Sequence, residues 1–335
     1  MATQIAVITG AGSGIGRASA RALGRAGFDV ALLGRDEERL NATAHNLAQH
    51  AIRTFVLSVD VTDAQAMQDA AQQIENTLGP ISVWANCAGA TVVGQVAALN
   101  AQDIARATQV TYLGSVNGTL AALNVMRRRG QGAIINLDLA PTLRDLPLQA
   151  AENGSRAALR GFCNSLRTEL RHDADHIRIV MVDLPAINTP HYSWTRNLTG
   201  KRLKPFGPVY EPEVAAEAIC RAAFTTSRSI SIGWANSFAA LWRLAGPGCR
   251  EARLASPGYQ AQLSHDWAEG PQPDALYTSV PGAYGAEGPF EAKARRLNSP
   301  LTVFVSSGLR ASLFGALAAM GVSAALNHIR RCRRA

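Results

Sequence analysis

Apolar residues along the first two-thirds of the chain fall into two alternating patterns. Short apolar runs of strand length occur at Ile5 to Ile8, Phe28 to Leu33, Thr54 to Val59, Ile81 to Ala85, Ala133 to Leu137, Ile177 to Val182 and, shorter, Ser229 to Gly233. Longer stretches of helical character separate them. They are Arg17 to Ala26, Asp36 to His50 with Leu40 and Leu47 on its apolar side, Ala64 to Leu78 closed by Gly79-Pro80, Gln102 to Arg129 ended by Gly130, Ala150 to Arg171, and Glu213 to Phe224. Strands alternating with helices predict βαβ units and a parallel sheet covered on both faces. Right-handed crossovers make it a doubly wound α/β fold, with ligands at the carboxyl ends of the strands. Beyond about residue 235 the alternation stops. Residues 236–300 predict an irregular extension rich in Gly, Pro and Ala, and 301–335 an apolar helix with a polybasic end.

Charge alters this picture little. The net charge is +8, but Arg330, Arg331, Arg333 and Arg334 crowd the last six of the 335 residues, and only three lysines occur. The excess marks one end rather than a nucleic-acid face, so no nucleic-acid partner is expected. The five cysteines are far apart and form no C-x-x-C pair, which points to a reducing, cytoplasmic setting. No basic-then-apolar signal region opens the sequence. His45, His50, His172 and His176 show no ligand spacing, so no metal is expected.

Chemistry enters at Ile5 to Arg17, IAVITGAGSGIGR. A strand, a glycine-rich turn and a helix start make a phosphate cradle: glycines let the backbone approach the ligand, and the helix N-terminus offers free N–H groups at a positive dipole end. Thr9-Gly10-x-x-x-Gly14-x-Gly16 resembles the TGxxxGxG loop of the short-chain dehydrogenase/reductase family. Further matches follow in order: Asp60-Val61, Asn86-Cys87-Ala88-Gly89, the helix frame from Pro147 to Phe162, and Leu184-Pro185-Ala186-Ile187-Asn188-Thr189. The resemblance covers residues 1 to about 235. It implies a Rossmann-type NAD(P)-binding domain, a carbonyl or alcohol substrate, and a homo-oligomer. It assigns the dinucleotide to Thr9, Gly10, Gly12, Ser13, Gly14, Ile15, Gly16, Asp60, Val61, Asn86, Ala88, Gly89, Pro185, Ile187 and Thr189. Arg35 joins them: it follows the second strand, in place of an acidic residue that would hold a ribose 2′-OH, and an arginine there pairs with a 2′-phosphate. NADP(H) is therefore favoured over NAD(H), with the adjacent Asp36 arguing the other way.

The catalytic positions depart from the family. Where it uses Asn, Ser, Tyr and Lys, this chain has Thr111, Leu139, Glu152 and Arg156; the spacing survives and the residue types do not. No tyrosine in the chain has a lysine four residues later, so no shift of register restores the motif. Glu152 and Arg156 are spaced i, i+4 for an ion pair. An ion-paired carboxylate has no proton to give a developing alkoxide, and a guanidinium is too weak an acid to replace it. Three readings stay open: a dinucleotide-binding protein whose catalysis is lost or altered, an oxidoreductase with a displaced donor such as Tyr192, and a membrane-associated scaffold or partner subunit. His191, Tyr192 and Trp194 fall in the stretch that covers substrate in this family, and Glu152 as a general base is a further possibility.

The third reading rests on Ala311 to Leu326, uncharged and followed by the arginines. Ala311, Gly315, Ala319 and Ser323 make a small-residue stripe that suits close helix packing. Sixteen residues are short for a span of about 20. A helix packed on protein, a membrane-surface anchor carried by residues 309–335 with Cys332 as a lipidation site, and a true span are all open. If the segment anchors the chain, the full-length protein sediments with anionic liposomes and a variant ending at residue 308 does not. Equal sedimentation of the two would sink the anchor.

Overall fold

A computed structural model describes residues 4–140, 142–173, 175–233, 247–268, 272–296, 298 and 304–306. Eight strands form one sheet: β1 (Ile5–Thr9), β2 (Asp29–Gly34), β3 (Thr54–Ser58), β4 (Ile81–Asn86), β5 (Gln131–Leu139), β6 (His176–Leu184), β7 (Ser229–Ile232) and β8 (Phe304–Ser306). Their order is β8-β7-β6-β5-β4-β1-β2-β3. All neighbours are parallel except β7 and β8, which pair antiparallel. The order reverses between β1 and β4, where Thr9 lies opposite Asn86. In a doubly wound sheet that reversal opens a crevice at the carboxyl ends of the strands.

Helices cover both faces: α1 (Gly14–Arg25), α2 (Glu37–Leu47), α3 (Ala64–Thr77), α4 (Ala101–Thr108), α5 (Gly114–Met126), α6 (Ala150–His172) and α7 (Pro212–Phe224). Adjacent strand residues point to opposite faces. Trp84 and Ile134 enter the core under α3, α5 and α6, whereas Val83 and Ile135 enter the one under α1, α2 and α7. Asp36, Asp63 and Asn100 cap α2, α3 and α4, their side chains accepting from the N–H groups of Arg39, Ala66 and Asp103. Ser13 makes no such side-chain bond at the start of α1.

The helix expected over Gln102 to Arg129 is interrupted. Between α4 and α5 the residues Gln109–Leu113 make one wide turn of π type. Inside it the Thr111 hydroxyl donates to Ala90 O at 2.7 Å and accepts from Ala90 N at 3.0 Å, tying the turn to the loop after β4. Periodicity does not report such a bulge, because the flanking helical faces stay in phase with the core. The apolar helix expected over 301–335 begins differently: Phe304–Ser306 is the edge strand β8. Ala311 to Leu326, the arginine cluster and Cys332 lie outside the described residues. No described helix is long and apolar enough to cross a membrane.

The described residues of the irregular extension pack on the rest of the fold. Leu263–Trp267 pairs antiparallel with Lys201–Leu203, and residues 274–290 run as an arm along the sheet's carboxyl edge. Gly288 N–H donates to Asn188 O at 3.1 Å and Arg295 N–H to Val209 O at 2.8 Å, anchoring its far end.

Where the two halves of the sheet meet, a buried polar network replaces apolar packing. Trp84 Nε1 donates to Asn86 Oδ1 at 2.9 Å, and Asn86 Nδ2 donates to Asn136 Oδ1 at 2.9 Å and Ser115 O at 3.1 Å. It locks β4 to β5 and to α5. Asn86→Ala removes the partner of one buried donor, Trp84 Nε1, and of two acceptors, Asn136 Oδ1 and Ser115 O, and opens a small void; it is expected to cost about 2–4 kcal/mol. Urea unfolding measures this; a loss below about 1 kcal/mol would show that the network is not what joins these elements.

Candidate functional site

The crevice holds a cavity of about 340 Å³, walled by the glycine loop, the ends of β2 and β3, the loop after β4, the end of β5, the start of α6 and the stretch after β6. Two glycines there are sterically required. Gly10, at φ +66°, lies so close to the loop after β4 that a Cβ would stand 3.0 Å from the Ala88 backbone, and a Cβ on Gly16 would collide with the carbonyl of Gly10. This brings the start of α1 against residues 87–89. Gly12, Ser13, Gly14 and Ile15 line the cavity beside them, as do Ala88, Gly89, Pro185, Ile187 and Thr189.

Two residues expected to contact the dinucleotide do not face it. Thr9 is 1% exposed, and its hydroxyl accepts from Cys87 N and Ala88 N, both at 3.1 Å. Asn86 is 2% exposed and committed to the buried network. Each holds the crevice's shape from behind. A motif read along the chain marks both as polar residues beside a turn; the pleat of the strand decides which way they point.

At the other end of the glycine loop, Arg35, Asp60 and Val61 line the cavity. Arg35 is already engaged: Nη1 donates to Tyr277 O and Nη2 to Ala275 O, both at 2.9 Å. Burial, with help from Arg106 and Arg39 against Asp60, holds its pKa below the usual arginine value. Asp60 accepts from Arg106 Nη2 at 2.8 Å and from Thr62. Asp36 is drawn away from Arg35 by Arg39, whose Nη2 lies 2.7 Å from its Oδ2.

Leu139, Glu152 and Arg156 converge at the opposite end, and Thr111 lies behind them in its wide turn. Arg156 Nε donates to Glu152 Oε1 at 2.8 Å, and Arg156 Nη1 donates to Leu137 O at 2.9 Å. Both side chains of the pair are 12% exposed. Arg156 also packs against Gly89, where a Cβ would lie 3.3 Å from its Nη2. Leu139 offers the cavity only an apolar side chain. The residue next to it in sequence, Asp138, also lines the cavity, and its carboxylate is pinned by Arg144 and Arg160 at 2.9 and 2.7 Å.

His191 and Tyr192 follow on a single helical turn, His191–Trp194, and both line the cavity. Burial lowers the His191 pKa, with the Glu152 charge opposing and the Arg156 charge assisting, so the imidazole is held neutral. Burial raises the Tyr192 pKa, and its ring meets Phe290 edge-on at 5.2 Å. Cys87 is likewise pushed up to about 12 by burial and is inert as a nucleophile. Leu143, Leu146, Leu203 and Phe206 add apolar side chains to the wall, beside the polar Gln149, Lys204 and Gln262. None of the four apolar residues carried a signal in the sequence. The same is true of Gly285, whose carbonyl accepts from Gly14 N–H at 3.1 Å. Its contribution is a backbone atom, which residue type does not reveal.

Comparison with known proteins agrees with this geometry. Residues 4–197 match the family model for short chain dehydrogenases. An uncharacterized oxidoreductase of Bacillus subtilis, YxnA, is 29% identical over 232 residues, covering 69% of this chain and 65% of the relative. The chain thus spans under two thirds of that relative's length. A 3-ketodihydrosphingosine reductase of Bos taurus is 27% identical over 235 residues, covering 68% of this chain and 70% of the relative. Among solved structures, an alcohol dehydrogenase of Thermococcus sibiricus complexed with 5-hydroxy-NADP has the same fold. Its TM-score is 0.58 and its identity 24%, over 68% of this chain and 95% of that one. With more than half of its length matched by the family model, the chain belongs to the short-chain dehydrogenase family.

Proposed function

We infer that this chain binds a nicotinamide dinucleotide, NADP(H) ahead of NAD(H), and that it has lost or rebuilt the family's proton-transfer route. The observation that carries the second half is the Glu152–Arg156 pair at 2.8 Å, held at both ends in the cavity wall. The first half is supported by the fit of the residues. No side chain caps the start of α1, where Gly14 N–H meets the Gly285 carbonyl, in a crevice that Gly10 and Gly16 keep narrow. Arg35 stands at the end of β2, the place where a basic group meets a 2′-phosphate, and the family relationship points the same way. Residues Gly12 to Gly16 would hold the pyrophosphate, Asp60 and Val61 the adenine, and Ala88, Gly89, Ile187 and Thr189 the nicotinamide half. When bound, the dinucleotide supplies or accepts a hydride.

This chain's own groups give that hydride little help. Glu152 is engaged by Arg156, and Leu139 has no hydrogen bond to offer a carbonyl. Losing general acid catalysis costs about 10²–10⁴-fold in rate. Tyr192 supports a second reading, a working oxidoreductase, because its hydroxyl belongs to a residue lining the same cavity. Its raised pKa keeps it protonated and makes it a weak donor.

Fluorescence titration with NADPH and NADH, followed by a panel of carbonyl substrates, separates the readings. NADPH is expected to bind about tenfold more tightly than NADH, and Arg35→Ala to bring the two affinities together; absence of binding by either would defeat the proposal. Turnover is expected to be negligible in the native chain and to rise by about 10²–10⁴-fold when Leu139→Ser, Glu152→Tyr and Arg156→Lys are combined. Native turnover that survives Glu152→Gln and disappears with Tyr192→Phe would instead establish the displaced donor.

The neutral His191 sets a pH dependence. Its folded pKa lies below the unfolded value of about 6.5, so below that pH the unfolded chain binds more protons and stability falls. Thermal unfolding from pH 7.5 to 5.5 is expected to show a smaller loss in His191→Gln than in the native chain. An identical loss would mean that the imidazole titrates freely.

A further inference from the structure

Three groups placed to receive a dinucleotide's phosphates, Gly14 N–H, Arg17 and Arg35, are bonded to carbonyls of the arm. Gly14 N–H, at the start of α1, donates to Gly285 O at 3.1 Å. Arg17, on the first turn of that helix, donates from Nη1 to Tyr284 O at 3.0 Å. The whole terminal fork of Arg35 is spent on Ala275 O and Tyr277 O. Four carbonyl oxygens thus stand where an anionic ligand's oxygens would. A cavity of about 340 Å³ is at the small end for ligand sites, which run from about 300 to 1,000 Å³.

The arm is made to hold but not to bury. Leu276, Val280 and Ala286 are buried, while Pro281, Gly282 and Ala283 are exposed. Its side-chain anchors are Asp274 Oδ2, 3.0 Å from Arg196 Nη1, the Tyr277 hydroxyl, which donates to Asp103 Oδ1 at 2.9 Å, and the Tyr284 ring, which meets Trp194 edge-on at 4.6 Å and lies under Arg39. Most of its attachment is through neutral carbonyls. A charge-assisted bond from the same donor to a phosphate oxygen is roughly twice as strong. Segments with few buried contacts and exposed backbone bonds open at the lowest free energy.

Resting on the dinucleotide-binding reading above, we propose that residues 274–286 are an intramolecular competitor for the phosphate sites, and that NADP(H) binds by displacing them. The ligand meets only the fraction of molecules whose arm has lifted, so its apparent affinity is weakened in proportion to the closed population. Loosening the arm tightens binding without adding a contact to the ligand.

Two measurements on the full-length chain test this. In hydrogen exchange of the native protein, saturating NADPH is expected to speed exchange at Ala275 and Leu276, whose N–H groups donate to Trp194 O and Asp274 Oδ1 in the closed arm. In fluorescence titration, Asp274→Ala combined with Tyr277→Phe is expected to bind NADPH about tenfold more tightly than the native chain. Slower exchange on adding NADPH would make the arm a roof that closes over the ligand and would overturn the proposal. Equal or weaker binding by the folded variant would overturn it too. If the variant does not fold, the exchange experiment decides alone. If neither protein binds NADPH or NADH, the functional reading itself has failed, an outcome distinct from equal binding by both.

Discussion

The approach of the glycine loop to the loop after β4 is the constraint on which the rest of the structure depends. Gly10 leaves no room for a Cβ beside Ala88, and the Thr9 hydroxyl takes both the Cys87 and Ala88 N–H groups. These contacts hold the carboxyl ends of β1 and β4 at a fixed spacing where the strand order reverses. The start of α1 then points into a crevice and not into solvent. Behind it, the Asn86 network fastens β4 to β5 and α5, so the crevice is rigid on the side where Glu152 and Arg156 enter.

Polar groups in this chain are used mostly to satisfy one another. Glu152 is taken by Arg156, Asp138 by Arg144 and Arg160, Asp60 by Arg106, and Asp36 by Arg39. Arginine suits this role because its planar fork bonds carboxylates and carbonyls in fixed directions. In an active dehydrogenase site one expects a group left able to give a proton. Here Glu152 and Arg156 bond each other, and the wall also holds His191, whose pKa burial lowers, Tyr192, whose pKa burial raises, and Lys204. The shape of the crevice depends on backbone approach, which the side chains of Leu139, Glu152 and Arg156 leave untouched.

The sequence by itself determined the doubly wound sheet, since seven apolar runs separated by amphipathic segments leave few other arrangements. It also determined which residues wall the cavity along most of its length, because the glycine loop and the turns after each strand lie at the same edge by topology. The absence of a Tyr-x-x-x-Lys was equally plain once the resemblance to the family supplied that expectation. Tertiary structure decided the rest. It turned Thr9 and Asn86 inward, because the strand pleat sets their direction, and it opened the wide turn around Thr111, because a contact with Ala90 favours it. It made Phe304–Ser306 an edge strand, and it brought residues 274–290 across the crevice. Those last contacts are made by backbone carbonyls 240 to 270 residues away from their donors. Every residue type has such a carbonyl, so neither composition nor periodicity could have announced that Gly285 would sit on Gly14.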